Sequence, residues 1–131
     1  MAATNMMAWG RGLLRATLIG TVLQLAMVVA GHYDATIANL FAVMGMLLSL
    51  LAGFLAGRWS AGLGRTGATA AGLVAGAACA FVGVLESFYL GDVPAWVIAF
   101  GTVSSGVAGA VGGLLGRITR KDSSATSKEW P

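Results

Sequence analysis

Polar side chains that could do chemistry are scarce in the long apolar stretches of this 131-residue chain. Glu86 is the one carboxylate embedded in such a stretch, and Gln24 lies near the middle of another. Because polar and ionisable groups are costly in hydrocarbon and often mark functional sites such as ion or proton pathways, Gln24, Glu86 and Asp92 form the candidate polar or ion site. For Glu86, about one turn from the end of its stretch, a solvated position at the membrane interface is the favoured alternative.

The sequence gives no sign of covalent or metal chemistry. It has no GxSxG nucleophile elbow, HExxH zinc pair, Walker phosphate loop or pair of carboxylates on one helical face. We therefore expect no catalytic residues and no enzyme activity. His32 is the only histidine, so no metal site is predicted, and any cofactor is left unknown. Gln24 could hydrogen-bond across a helical bundle or bind a polar ligand atom, and the interhelical bond is the favoured alternative. The hydroxyls of Ser104 and Ser105 could bond to a carbonyl one turn back in their own helix.

The composition indicates an integral membrane protein. Hydrophobic residues make up 57% of the chain and charged residues 10%, and the mean hydropathy is +0.82, whereas soluble domains carry about 25% charged residues. The net charge of +3 comes from short basic stretches without interleaved aromatic side chains, so nucleic acid is not an expected partner. Membrane lipids are an expected partner, because their anionic headgroups attract basic residues. The single cysteine, Cys79, excludes an intramolecular disulfide.

Four apolar stretches are long enough to span a bilayer, for which about 20 residues cover about 30 Å of hydrocarbon. Short polar turns separate the first pair and the second pair, which predicts two antiparallel hairpins in an all-α, polytopic protein with a single membrane domain. In the second turn Asp92 could cap a helix that Pro94 helps to start. Residues 117–131 are predicted to form a flexible tail. The predicted spans are Leu13 to Gly31, Ile37 to Gly57, Gly67 to Leu90 and Ala95 to Gly116.

The basic residues define the predicted orientation. With four spans, all eight Lys and Arg fall on one side, whereas the opposite ends of the spans, near Asp34, Glu86 and Asp92, have none. The positive-inside rule then puts both termini in the cytoplasm, and we expect a bacterial inner membrane as the location. The basic residues are Arg11, Arg15, Arg58, Arg65, Arg117, Arg120, Lys121 and Lys128.

Small residues recur at every fourth position in three of the predicted spans. Such stripes let another backbone approach closely where lipid gives no hydrophobic drive for association. They predict tight packing of the second, third and fourth helices. A second row on the fourth helix, Gly112 and Gly116, is predicted to leave a face for a partner chain or a flat ligand. The stripes are Gly45, Ser49, Gly53 and Gly57; Ala68, Gly72, Gly76 and Ala80; and Gly101, Ser105, Gly109 and Gly113.

Three segments resemble small uncharacterised four-helix bacterial membrane proteins. They are AGFLAGRWSAG at the end of the second helix, GRTGATAAGLVAG at the entry to the third, and GVAGAVGGLLGRI at the end of the fourth. The resemblance implies an architecture with glycine-rich second and fourth helices. It implies no activity and no functional residue.

These observations favour a small accessory or structural subunit that packs through its Gly/Ala/Ser faces against itself or a larger membrane complex. A second hypothesis is an oligomeric channel or transporter for a small ion or solute. A third is binding of a lipid, quinone or pigment in a glycine-lined groove. Loss of flux in Glu86→Gln would support the transporter hypothesis, and loss of assembly in Gly109→Leu would support the subunit hypothesis. Copurification of a small molecule would support the ligand-binding hypothesis.

Overall fold

The computed structural model describes the backbone of residues 2–60 and 64–128, and the side chains of residues 10–60 and 64–119. Within those ranges the chain is all-helical. Four helices are long and apolar enough to cross a membrane, and they confirm the predicted fold class of two antiparallel hairpins. The helices are α1 Ala2–Tyr33, α2 Ala35–Asn39, α3 Phe41–Trp59, α4 Gly64–Tyr89 and α5 Trp96–Lys128.

The first hairpin contains a short helix that the sequence did not predict. Asp34 is the N-cap of α2, since its Oδ1 accepts a hydrogen bond of 2.8 Å from the backbone N of Thr36. Leu40, with φ −98° and ψ 8°, then interrupts the helical backbone. The second apolar helix therefore begins at Phe41 rather than at Ile37.

The second hairpin turns at a glycine that needs its conformational freedom. Gly91 has φ +80°, which favours glycine because a side chain would clash there. The backbone N of Gly91 donates to Phe88 O and that of Asp92 donates to Ser87 O, both at 3.0 Å. This pair of bonds is a Schellman motif, and it ends α4.

Helix α5 extends past the predicted span and into the predicted tail. Residues 117–128 continue it as helix, since they contain neither proline nor glycine to interrupt it. Residues 61–63 and 129–131 lie outside the described part of the chain.

The long helices form a diamond in cross-section. Helices α3 and α4 touch each other and occupy the centre, while α1 and α5 each pack on both of them. In the described residues α1 and α5 do not touch each other. We call the end that carries Arg11, Arg58, Arg65 and Arg117 the basic end, and the end that carries His32, Asp34 and Asp92 the acidic end.

In the half of the bundle near the basic end, α3, α4 and α5 meet backbone to backbone. A Cβ atom at Gly53 would overlap the backbone of Gly109, and one at Gly57 would overlap that of Gly113. On the other side of α5, a Cβ atom at Gly72 would also overlap the backbone of Gly109. Helix α5 therefore lies in the groove between α3 and α4, and only glycine allows this approach.

The buried core is built from small side chains rather than large ones. Helix α1 joins it through Gly20, which lies against Ala52 of α3 and Cys79 of α4. Many large apolar residues instead lie on the outer surface, for example Leu14, Val43 and Val103. This distribution suits a bundle surrounded by lipid, where large side chains contact acyl chains and small ones contact neighbouring helices. The core cluster comprises Ala16, Ala52, Ala56, Ala71, Ala75 and Cys79.

Candidate functional site

A cavity of about 320 Å³ lies between α3 and α5 in the half of the bundle near the acidic end. There the two helices separate. A Cβ atom at Gly45 would have its nearest contacts, at 3.8 and 3.9 Å, with Met27 and Gln24 of α1. One at Gly101 would meet Val84 of α4 at 3.2 Å. Neither Cβ atom would contact the other helix of the α3–α5 pair, whereas a Cβ atom at Gly53 or Gly57 of α3 would overlap the backbone of α5.

The walls of the cavity are mostly apolar, and it opens sideways. Met46 of α3 and Phe100 of α5 line it, although they are 43% and 65% exposed. The opening between them therefore faces the surroundings of the bundle, which in a membrane are lipid. The volume falls at the lower end of the range typical of small-molecule pockets, about 300–1,000 Å³. The remaining apolar lining includes Met27, Val28, Phe41, Ala80, Val84, Val93 and Val97.

Gln24 is a buried residue of the cavity wall and links three helices. It is 3% exposed. Its Nε2 donates to the backbone O of Gly45 at 3.1 Å and to Ser49 Oγ at 3.3 Å, both on α3. Ser49 Oγ in turn donates to Gly76 O of α4 at 3.5 Å. The interhelical hydrogen bond predicted for Gln24 is confirmed.

The oxygen of the Gln24 amide lies between two glycines of the cavity wall. A Cβ atom at Gly83 would lie 3.3 Å from Oε1, and one at Gly45 would lie 3.9 Å from it. The hydrogen bonds of Gln24 to Gly45 and Ser49 both use Nε2. The amide therefore presents an acceptor at this position, with its lone pairs left for another group.

Ser87 provides a second polar group in the wall. The residue is 1% exposed, and its Oγ has no hydrogen-bond partner among the described residues. A buried hydroxyl without a partner is unfavourable by about 1–3 kcal/mol. Ser105, 5% exposed, also lines the cavity. Ser104 bonds its own helix as predicted, since its Oγ donates to Phe100 O at 2.9 Å.

The structure does not gather the predicted polar or ion site around the cavity. Of its members only Gln24 lines the cavity. Glu86 is half-buried on α4, and its Oε2 is buried without a partner among the described residues. Asp92 lies in the turn at the acidic end, where its Oδ2 contacts Nδ1 of His32 at 3.0 Å. In the part of the chain that is described, no cluster of His, Cys, Asp and Glu could hold a metal ion.

The contact of Asp92 with His32 differs from the predicted helix cap. Both side chains are about one-third exposed. The pair joins the end of α1 to the turn between α4 and α5. Helix α5 starts two residues beyond Pro94, whose backbone O accepts from the N of Val97 at 3.1 Å.

The predicted small-residue stripes divide between the two halves of the bundle. Gly53, Gly57, Gly72, Gly76, Gly109 and Gly113 form the close helix contacts, while Gly45, Gly101 and Ser105 line the cavity. The second row on α5 does not leave the predicted free face. A Cβ atom at Gly112 or Gly116 would overlap the backbone of Leu50 or Phe54, because α3 already covers this row.

Gly83 and Ser87 are not among the predicted site residues, although the sequence contains a signal for them. They continue a second stripe of small residues on α4, all of it buried in the structure. Ser87 ends this stripe near the acidic end, where helix contacts give way to the cavity. The full stripe is Ala71, Ala75, Cys79, Gly83 and Ser87.

Comparisons with protein-family models, with curated proteins and with solved structures find no match to this chain. Its function is therefore inferred from the residues of the cavity.

Proposed function

We propose that this protein binds a neutral, lipid-soluble small molecule in the cavity between α3 and α5. The observation that carries the proposal is a cavity with buried polar groups and a sideways opening. A molecule dissolved in the bilayer would reach Gln24 and Ser87 without passing through water. Mostly apolar walls with a few placed polar groups are typical of small-molecule sites.

The charge of the ligand follows from the lining. None of the described residues that line the cavity is ionisable. A charged group placed there would lose its hydration without gaining an opposite charge, which is strongly unfavourable. A neutral molecule is therefore the favoured occupant.

The two other hypotheses gain less support from the geometry. An accessory subunit was expected to use the small-residue stripes, but Gly53, Gly57 and Gly113 are covered by helices of the same chain. A channel through one copy would need a path beyond the cavity, and backbone contacts between α3 and α5 close that direction. Substitutions such as Gly109→Leu consequently test the fold before they test assembly with a partner.

We further propose that the basic end faces the cytoplasm of a bacterial cell. The distribution of Arg and Lys supports this orientation through the positive-inside rule. The cavity would then open into the outer leaflet of the inner membrane, and both termini would be cytoplasmic.

The first test is purification of the tagged protein from its native membrane in mild detergent, followed by extraction and mass spectrometry of bound small molecules. We expect a neutral apolar compound at close to one molecule per chain. Gly45→Leu should lose it, because the new side chain would grow from the cavity wall into the cavity. Val43→Leu, on the exposed face of the same helix, is the matched control and should keep it.

A second cavity variant, Ala42→Phe, guards against loss through misfolding. Ala42 lines the cavity and is itself exposed, so a larger side chain there can fill the opening without entering a helix contact. Equal amounts of compound in wild type, Gly45→Leu and Ala42→Phe would contradict ligand binding at this cavity. If other polypeptides copurify in stoichiometric amounts and no small molecule does, the accessory-subunit hypothesis is supported instead.

A further inference from the structure

We infer that the ligand has a head of about two fused rings that carries a hydrogen-bond donor, a hydroxyl or N–H group, which binds Gln24 Oε1 and Ser87 Oγ. This inference rests on the proposed ligand-binding function. It names the chemical class of the ligand: a neutral ring alcohol of the naphthol or reduced-quinone type, in preference to a ketone, ester or oxidised quinone.

The preference for a donor follows from how the Gln24 amide is used. A primary amide has two N–H donors and one acceptor oxygen. Both Nε2 bonds go to the protein, to Gly45 O and Ser49 Oγ. Only Oε1, which lies in the space between Gly45 and Gly83, is left to bind a ligand. A ligand carbonyl at this point would bring two acceptors together, whereas a hydroxyl or N–H group would form a bond.

Ser87 makes the site suited to a hydroxyl in particular. Its buried Oγ has no partner among the described residues, and a serine hydroxyl can both donate and accept. A ligand hydroxyl can likewise do both, so it can donate to Gln24 Oε1 and accept from Ser87 Oγ. One ligand group would then complete two unpaired polar groups of the cavity wall.

The size of the head follows from the volume. A cavity of about 150 Å³ lined by apolar side chains binds benzene. The cavity here, about 320 Å³, is roughly twice as large, which corresponds to two fused rings rather than one. The opening between Met46 and Phe100 leaves room for an apolar tail to extend into the bilayer.

The test compares ring compounds that differ in their donor. The protein is placed in phosphatidylcholine nanodiscs, and binding is measured by equilibrium dialysis, with empty nanodiscs to subtract partition into lipid. The probes are 2-naphthol, which has a hydroxyl donor, and 2-methoxynaphthalene and 1,4-naphthoquinone, which have acceptors only. We expect 2-naphthol to bind at least ten-fold more tightly than either of the others.

Two variants assign the preference to the named atoms. Ser87→Ala should weaken 2-naphthol about five-fold, the size expected for one hydrogen bond, and should weaken 2-methoxynaphthalene by no more than this, since its ether oxygen can only accept from Ser87 Oγ. Gln24→Leu should abolish the preference between the two probes, provided that thermal unfolding shows the variant to be folded. The Ser87 hydroxyl has no hydrogen-bond partner among the described residues that its replacement would remove, so this variant remains informative even if Gln24→Leu does not fold.

The outcomes separate this inference from the proposed function. Equal binding of all three probes, or tighter binding of the quinone, would overturn the donor requirement and leave ligand binding intact. If no probe binds above empty nanodiscs, the inference is overturned as well, and the copurification experiment decides whether the proposed function falls with it. A copurified compound that lacks a hydroxyl or N–H group would also overturn the inference.

Discussion

Replacing Gly109 by alanine should destabilise the bundle, whereas the same change at Gly45 should not. Gly109 lies where α5 meets both α3 and α4. A Cβ atom there would overlap the backbone O of Gly72 and lie 2.9 Å from the Cα of Gly76. Backbone atoms cannot rotate away as a side chain can, so α5 would have to move. At Gly45 the nearest atom would be 3.8 Å away, an ordinary contact distance.

The magnitudes follow from two opposing effects. Alanine is favoured over glycine within a helix by about 1 kcal/mol, and this gain applies to both variants. Overpacking a well-packed site costs about 1–3 kcal/mol, and the backbone contact puts Gly109 at the upper end of that range. We therefore expect Gly45→Ala to be neutral or more stable by up to about 1 kcal/mol. Gly109→Ala should be less stable by about 2 kcal/mol.

The assay is reversible unfolding in bicelles with increasing SDS, followed by far-ultraviolet circular dichroism, for the wild type and both variants. The difference between the two variants is the decisive quantity, because errors of extrapolation largely cancel in it. A difference below about 0.5 kcal/mol, the usual range for substitutions away from packed sites, would refute the close approach of α5 to α4. Gly72→Ala, which changes the opposite side of the same contact, should behave like Gly109→Ala.

Three further predictions concern the polar and reactive residues. Disrupting the pair at the acidic end by His32→Gln or Asp92→Asn should lower the free energy of unfolding by less than about 1 kcal/mol, because both side chains are one-third exposed. A larger coupling energy in a double-mutant cycle would show that the pair is more shielded than its exposure indicates. Glu86→Gln should leave the free energy of unfolding unchanged or raised, since Oε2 has no partner among the described residues to lose. If it also leaves ion flux in liposomes unchanged, the ion-site hypothesis fails. Cys79, at 0% exposure, should react with a maleimide only after unfolding, and rapid labelling of the folded protein would contradict its position in the core.

The sequence predicted the long helices well because one property decides them. A stretch of about 20 apolar residues has few alternatives to a membrane-spanning helix, and all four such stretches are helical in the structure. The exact ends depended on local contacts instead. Ile37 was placed in the second span, but the bond between Asp34 and Thr36 starts a separate helix before it.

The candidate site was harder to predict because a stripe of small residues does not reveal what lies opposite it. The row of Gly112 and Gly116 is predicted to leave a face for a partner chain or ligand, but α3 covers it. Gly45 and Gly101 belong to stripes of the same kind, with a small residue at every fourth position, yet they line a cavity. The difference lies in the path of two helices that are far apart in sequence, and no local pattern records it.

The cavity can be understood as the place where these stripes lack a neighbour. Near the basic end, each glycine of α5 faces the backbone of α3 or α4. Toward the acidic end, Gly45 and Gly101 continue the same faces, but Met46 and Phe100 line the space between α3 and α5. Lipid tails would fill this space poorly beside Ser87, whose hydroxyl has no partner among the described residues. A ring with a hydroxyl group bound in this space would provide the missing hydrogen bond, and Gly101 and Ser105 would give it small-residue surface on α5, whereas the sequence pattern pointed to Gly112 and Gly116.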